Sequence, residues 1–176
     1  MTYLYILKVP IGMKILNNVE IIDLAVYINK HLVLTDFHIG YEEALNKEGI
    51  LVPRFQFEEI MKRLEGILLK LKNKKIERII INGDLKHEFG SISNQEWRLT
   101  LRLLDFLGKH CKEIILIKGN HDMILGPIAQ KRNVKVLDHY LIQSKNRKST
   151  TTKKSLKLLK NKKNNILLIH GDKIPN

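Results

Sequence analysis

The sequence predicts an α/β fold, and three observations predict it. Strand-like apolar runs alternate with helix-like runs through the first two thirds of the chain. The apolar residues of the segment Phe55 to Leu71 recur at helical spacing. Each principal apolar strand runs straight into a glycine or a polar cluster, where an open α/β sheet places its ligand-binding residues.

Taken in order, the β-rich run Glu20 to Ile28 and the run His31 to Thr35 are separated by Asn29-Lys30, which predicts a hairpin leading into Asp36. Ile60, Leu64, Ile67, Leu68 and Leu71 line one face of a helix whose other face carries Lys and Glu, and Pro53 fits just before it. Arg78 to Ile81 reads as a strand ending at Asn82-Gly83-Asp84. A helix is expected near Gln95 to Leu107, followed by the strand Glu113 to Ile117 ending at Gly119-Asn120. Beyond it, Val134 to Leu137, His139 to Ile142 and Ile166 to Ile169 are candidate strands, so the C-terminal part is β-rich.

With 176 residues and 44% hydrophobic composition, the chain suits one domain, 1–176, with a real core. No stretch approaches 18 apolar residues, and the run Tyr3 to Ile11 lacks the basic start and cleavage site of a signal peptide. The expectation is a soluble, cytoplasmic protein with no membrane partner. The lone Cys111 cannot form an internal disulfide and reads as a semi-buried thiol. The net charge of +13 is uneven: Ser144 to Asn165 holds nine of the 31 Lys and Arg residues and no acid, which makes 144–165 a basic loop or insert.

The chemistry lies at the strand ends. Asp36-Phe37-His38 follows the second strand of that hairpin, and the two-residue period of an extended chain would turn the carboxylate and imidazole to one side and Phe37 to the core. Gly83-Asp84-Leu85-Lys86-His87 and Gly119-Asn120-His121-Asp122 follow the next two strands, each opening on a glycine that lets backbone approach a ligand closely. His170-Gly171 ends the last apolar run. Asp122 reads as a capping residue, and His31, His110 and His139 carry no assigned role.

In sequence order these pieces resemble the calcineurin-like metallophosphoesterases, over roughly Asp36 to Asp172, with Gly-Asn-His-Asp the most specific piece. Asp36 to Glu42, followed by Gly49 and Pro53, is similar to the archaeal and bacterial branch that includes DNA-ligase-associated phosphoesterases and double-strand-break repair nucleases. The resemblance implies a four-layer α/β/β/α sandwich of two mixed sheets. It implies that Asp36 and His38 bind one metal, that Asp84 bridges, and that Asn120 and His170 bind the second. His121 would face the substrate, and His87 stands where the repair nucleases also carry histidine, which favours phosphodiesters. Oxygen donors mixed with imidazoles suit Mn²⁺, with Fe, Zn²⁺ or Ni²⁺ as alternatives. A water between two such ions is acidified and attacks the phosphoester in line.

Relatives carry a Gly-His-x-His element that the six residues Gly171 to Asn176 do not contain, so the expectation is a truncated domain with an incomplete second sheet and weakened hydrolysis. Two competing functions are a non-catalytic nucleic-acid-binding module using 144–165 and an enzyme for cyclic nucleotides.

Overall fold

The computed structural model describes residues 12–16, 18–89, 91–122, 125–143 and 165–171. The main sheet has seven strands in chain order: β1 (Met13–Leu16), β2 (Val19–Ile22), β3 (Ala25–Ile28), β4 (His31–Leu34), β5 (Arg78–Asn82), β6 (Glu113–Ile117) and β7 (Lys135–Leu137). The first four pair antiparallel, and β4 to β7 pair parallel. The change of direction at β4 follows from chain length. β3 and β4 are joined by two residues, whereas the parallel partners are separated by α1 (Tyr41–Lys47) and α2 (Gln56–Lys70), by α3 (Asn94–Gly108) and by α4 (Gly126–Lys131).

Asn29 and Lys30 both adopt left-handed φ, 45° and 67°, the type I′ geometry whose twist matches the flanking strands. The single expected strand Glu20 to Ile28 is instead two, because Asp23 takes φ 56° and reverses the chain with Leu24. An apolar run carries no sign of a reversal whose only polar marker is one aspartate. Helices α1 and α4, seven and six residues long, were also not legible from periodicity, since neither spans two full turns of pattern.

Alternation along the parallel strands separates two cores. Leu32, Leu34, Ile79, Ile81, Ile114 and Leu116 turn to the helices, where Leu64, Ile67, Leu71, Leu103, Leu104 and Leu107 meet them. Val33, Ile80, Ile115 and Ile117 turn the other way. They pack on β8 (His139–Ile142) and β9 (Ile166–Ile169), an antiparallel pair, through Tyr140, Ile142, Ile166 and Leu168. Strands buried on both faces read as unbroken isoleucine, which is why Arg78-Ile-Ile-Ile-Asn was visible as a strand without polar alternation.

The layers are therefore helices, a large mixed sheet and a small sheet. The small sheet has two strands, paired antiparallel, among the described residues, in keeping with the expected two-sheet α/β architecture. The basic segment 144–165 lies outside the described residues apart from Asn165.

Candidate metal centre

β4, β5 and β6 are parallel neighbours in register, so their carboxyl ends lie side by side at one sheet edge. The loop after β4 is hydrogen-bonded to the loop after β5: Asp36 N donates to Gly83 O (3.3 Å), His38 N to Asp84 O (2.9 Å) and Ile39 N to Leu85 O (3.1 Å). Asp36 and His38 do not sit on a pleated strand as expected, because β4 ends at Leu34. Both are left-handed, at φ 53° and 44°, and Asp84 is too, at 50°. Each such non-glycine conformation costs about 1–3 kcal/mol, and surrounding structure has to hold it. These kinks, rather than strand alternation, aim the side chains.

Asp84 is buried at the centre. Its Oδ2 lies 3.6 Å from His38 Nε2 and 3.5 Å from His170 Nε2, while its Oδ1 accepts from His121 N at 3.2 Å. Gly119 packs so closely on Asp84 that a Cβ there would overlap its carboxylate and backbone nitrogen. Without that glycine the loops after β5 and β6 could not close together.

His170 arrives from β9 across the small sheet, positioned by the bond from Asn82 Nδ2 to Ile169 O (3.1 Å). Its Nδ1 lies 3.2 Å from Asn82 O. A carbonyl only accepts, so Nδ1 carries a proton, and with the ring neutral Nε2 presents a lone pair. That lone pair faces Asn120 Oδ1 at 3.2 Å and Asp84 Oδ2 at 3.5 Å. Three acceptors aimed at one another repel unless a cation lies among them. Asp36, Asp84 and His170 form a donor group with ligand atoms within 4.8 Å of one another, so the residues present fit a divalent ion.

A second group comprises His38, His87 and His121, again within 4.8 Å. His38 meets both His87 (5.5 Å between centroids) and His121 (4.9 Å) edge-on, and His87 stacks on His121 at 5.3 Å. His121 Nδ1 donates to His87 O, which leaves Nε2 as its free nitrogen. His38 Nδ1 and His87 Nδ1 are buried with no hydrogen-bond partner among the described residues. Burial, reinforced by the neighbouring His38 and His121, holds the His87 imidazole below the usual histidine range, so it is neutral at neutral pH.

Two buried carboxylates stiffen the centre. Asp122 Oδ1 accepts from Leu85 N (3.0 Å) and its Oδ2 from Gly119 N (3.1 Å), tying the loops after β5 and β6 together. Burial raises the Asp122 carboxyl, against the opposing effect of the amides of Gly119, Lys86 and Leu85. Glu96 Oε1 accepts from His87 N (3.3 Å) and Glu88 N (3.0 Å), while its Oε2 accepts from Ser93 N (2.9 Å). Gln56 Nε2 donates to His38 O at 3.0 Å. Sequence reasoning passed over Glu96, although Ser93-x-x-Glu96 is a readable capping box and the structure completes it.

All seven candidate residues lie at this edge: Asp36, His38, Asp84, His87, Asn120, His121 and His170. Their grouping differs from the expected division, since His38 clusters with His87 and His121 while reaching Asp84, and Asp36 clusters with Asp84 and His170. His31 is buried instead in the core, its Nδ1 2.9 Å from Asn29 O.

A family model described as calcineurin-like phosphoesterase matches residues 30–176. Among curated proteins, none matches the chain. Among solved structures, the crystal structure of Pseudomonas putida nuclease MPE is similar, with a TM-score of 0.51 at 22% identity. The match covers 76% of this chain and 62% of that one, so the chain spans less than two thirds of that structure's length, and the likeness is one of fold.

Proposed function

Since the chain belongs to the calcineurin-like phosphoesterase family, we propose that it hydrolyses phosphodiesters in a metal-dependent reaction at the edge formed by the loops after β4, β5, β6 and β9. One observation carries the reading: the Asp84 carboxylate stands within reach of two imidazoles that arrive from separate loops, His38 after β4 and His170 after β9. That is the arrangement a shared ligand of two ions requires.

Asp36, His38, Asp84, Asn120 and His170 would hold two divalent ions, and Mn²⁺ suits this mixture of oxygens and imidazoles. When bound, such ions supply Lewis acidity toward phosphoryl oxygens and acidify water. The chain's own residues do the rest. His121, fixed through Nδ1 to the His87 carbonyl, presents Nε2 as the nitrogen that holds a proton for the leaving oxygen. His87, neutral and stacked against it, keeps that ring in place and faces the substrate without adding a charge.

The phosphodiester preference is supported by His87 and by the fold shared with a protein described as a nuclease. The basic segment 144–165 fits a nucleic-acid or nucleotide partner. No helix among the described residues is long and apolar enough to cross a membrane.

The test is hydrolysis of bis-(p-nitrophenyl) phosphate with Mn²⁺. Activity should vanish with a chelator and fall sharply in Asp84→Asn and His121→Ala, and equal rates in wild type and both variants would refute the proposal. Calorimetric titration of Mn²⁺ separates roles within the histidine group. His121→Ala should keep its metal stoichiometry while turnover falls, and loss of an ion from that variant would make His121 a ligand instead.

A further inference from the structure

Resting on the phosphodiesterase reading of this same site, we propose that Tyr41 and Phe89 form an aromatic rim that stacks on the nucleobases flanking the scissile phosphate. They would act as specificity residues for base-bearing phosphodiesters.

Both side chains are large, apolar and left in solvent, Tyr41 at 45% and Phe89 at 61% exposure. Both also touch site imidazoles. The Tyr41 ring meets His87 edge-on at 4.9 Å, and the Phe89 ring lies on His121 at 3.7 Å, tilted by 33°. With His87 stacked on His121, the four rings form one continuous row, Tyr41, His87, His121, Phe89, whose ends are the two exposed aromatics. A phosphate seated at the imidazoles would therefore have an open aromatic surface on either side.

The backbones carrying the rim are held by the site itself. Tyr41 N donates to His38 O at 3.1 Å, and Glu88, beside Phe89, donates its N–H to the buried Glu96. Aromatic side chains with two torsions on fixed backbone lose little freedom on binding, which favours stacking over a flexible apolar contact. Stacking reads a π-face and not a hydrogen-bonding edge, so the rim would tolerate any base while rejecting its absence.

The experiment compares two oligonucleotides with the full chain and Mn²⁺, one natural and one bearing tetrahydrofuran abasic residues on both sides of a single scissile phosphate. Base stacking is worth about 1–3 kcal/mol per base, so wild type should favour the natural substrate in kcat/KM by roughly fivefold or more. Tyr41→Leu and Phe89→Leu should each bring that ratio toward one, and Phe89→Trp should restore it. A disturbance of His121 alone would lower both rates and leave the ratio in place. Quenching of 2-aminopurine placed beside the phosphate reads stacking without turnover. Ratios that match wild type in both Leu variants, or equal quenching in them, would overturn the rim. Absence of hydrolysis of either oligonucleotide would count against the phosphodiesterase reading alone, and the quenching would still decide the rim.

Discussion

The imidazole of His170 occupies the space that a side chain on Gly83 would need: a Cβ built on Gly83 would overlap the Nδ1 side of the His170 ring. Gly83 is also left-handed, at φ 82°. A residue from β9 thus reaches the centre only because a residue after β5 has no side chain.

Gly83→Ala should therefore do two things at once. The left-handed conformation alone costs an alanine about 1–2 kcal/mol, and the overlap must be relieved by moving His170. Urea denaturation should show lower stability, and Mn²⁺ titration should show weaker binding. Unchanged metal affinity would mean that His170 does not hold the ion.

Metal binding should raise stability by mass action. At a hundredfold excess over Kd, a cation bound only by the folded chain adds about 2.7 kcal/mol. Thermal unfolding should shift upward on adding Mn²⁺ and return with a chelator, and Asp84→Asn should lose most of the shift. A metal-independent Tm in the wild type would contradict the two donor groups.

Asp122→Ala should be destabilising despite lying outside both groups. The carboxylate satisfies the buried Leu85 N and the half-buried Gly119 N from within the protein, and orphaning the buried donor alone costs about 1–3 kcal/mol. Asn should recover only part, because its amide NH₂ faces a donor where a carboxylate oxygen accepted. Chemical denaturation of Asp122→Ala and Asp122→Asn checks this ordering.

His31 sets an acid limit on the fold. It is buried, and desolvation lowers its pKa below the free value of about 6.5. The unfolded chain therefore binds a proton that the native chain refuses. Stability from the neutral ring is fully present above the unfolded pKa and is lost as pH falls through it toward the folded value. Stability should drop on acidification below about pH 6.5. His31→Gln should flatten that part of the profile, and a slope identical to wild type would assign the acid loss elsewhere.

The fold's helical and parallel parts were legible because their signals are long or dense. Fifteen residues of α2 repeat their apolar face several times, and Ile79-Ile80-Ile81 is apolar on both faces of the sheet. The break at Asp23-Leu24 was not legible, since it depends on one backbone angle within an apolar run. The site was legible as a set of residues because glycine and ligand types cluster at strand ends. Their grouping was not, because it rests on left-handed angles at Asp36, His38 and Asp84 that no residue spacing encodes. Glu96, Tyr41 and Phe89 were missed for a different reason: their meaning is a contact with His87 or His121 across separate loops.

Those three left-handed residues set stability and chemistry against each other. Asp36→Gly or His38→Gly would relax a conformation held against its preference, and such a variant should resist heat better than its parent in the absence of metal. It would also have surrendered a donor. A screen for thermal robustness run in chelator would accordingly enrich disarmed proteins, while the same screen in Mn²⁺ would discard them.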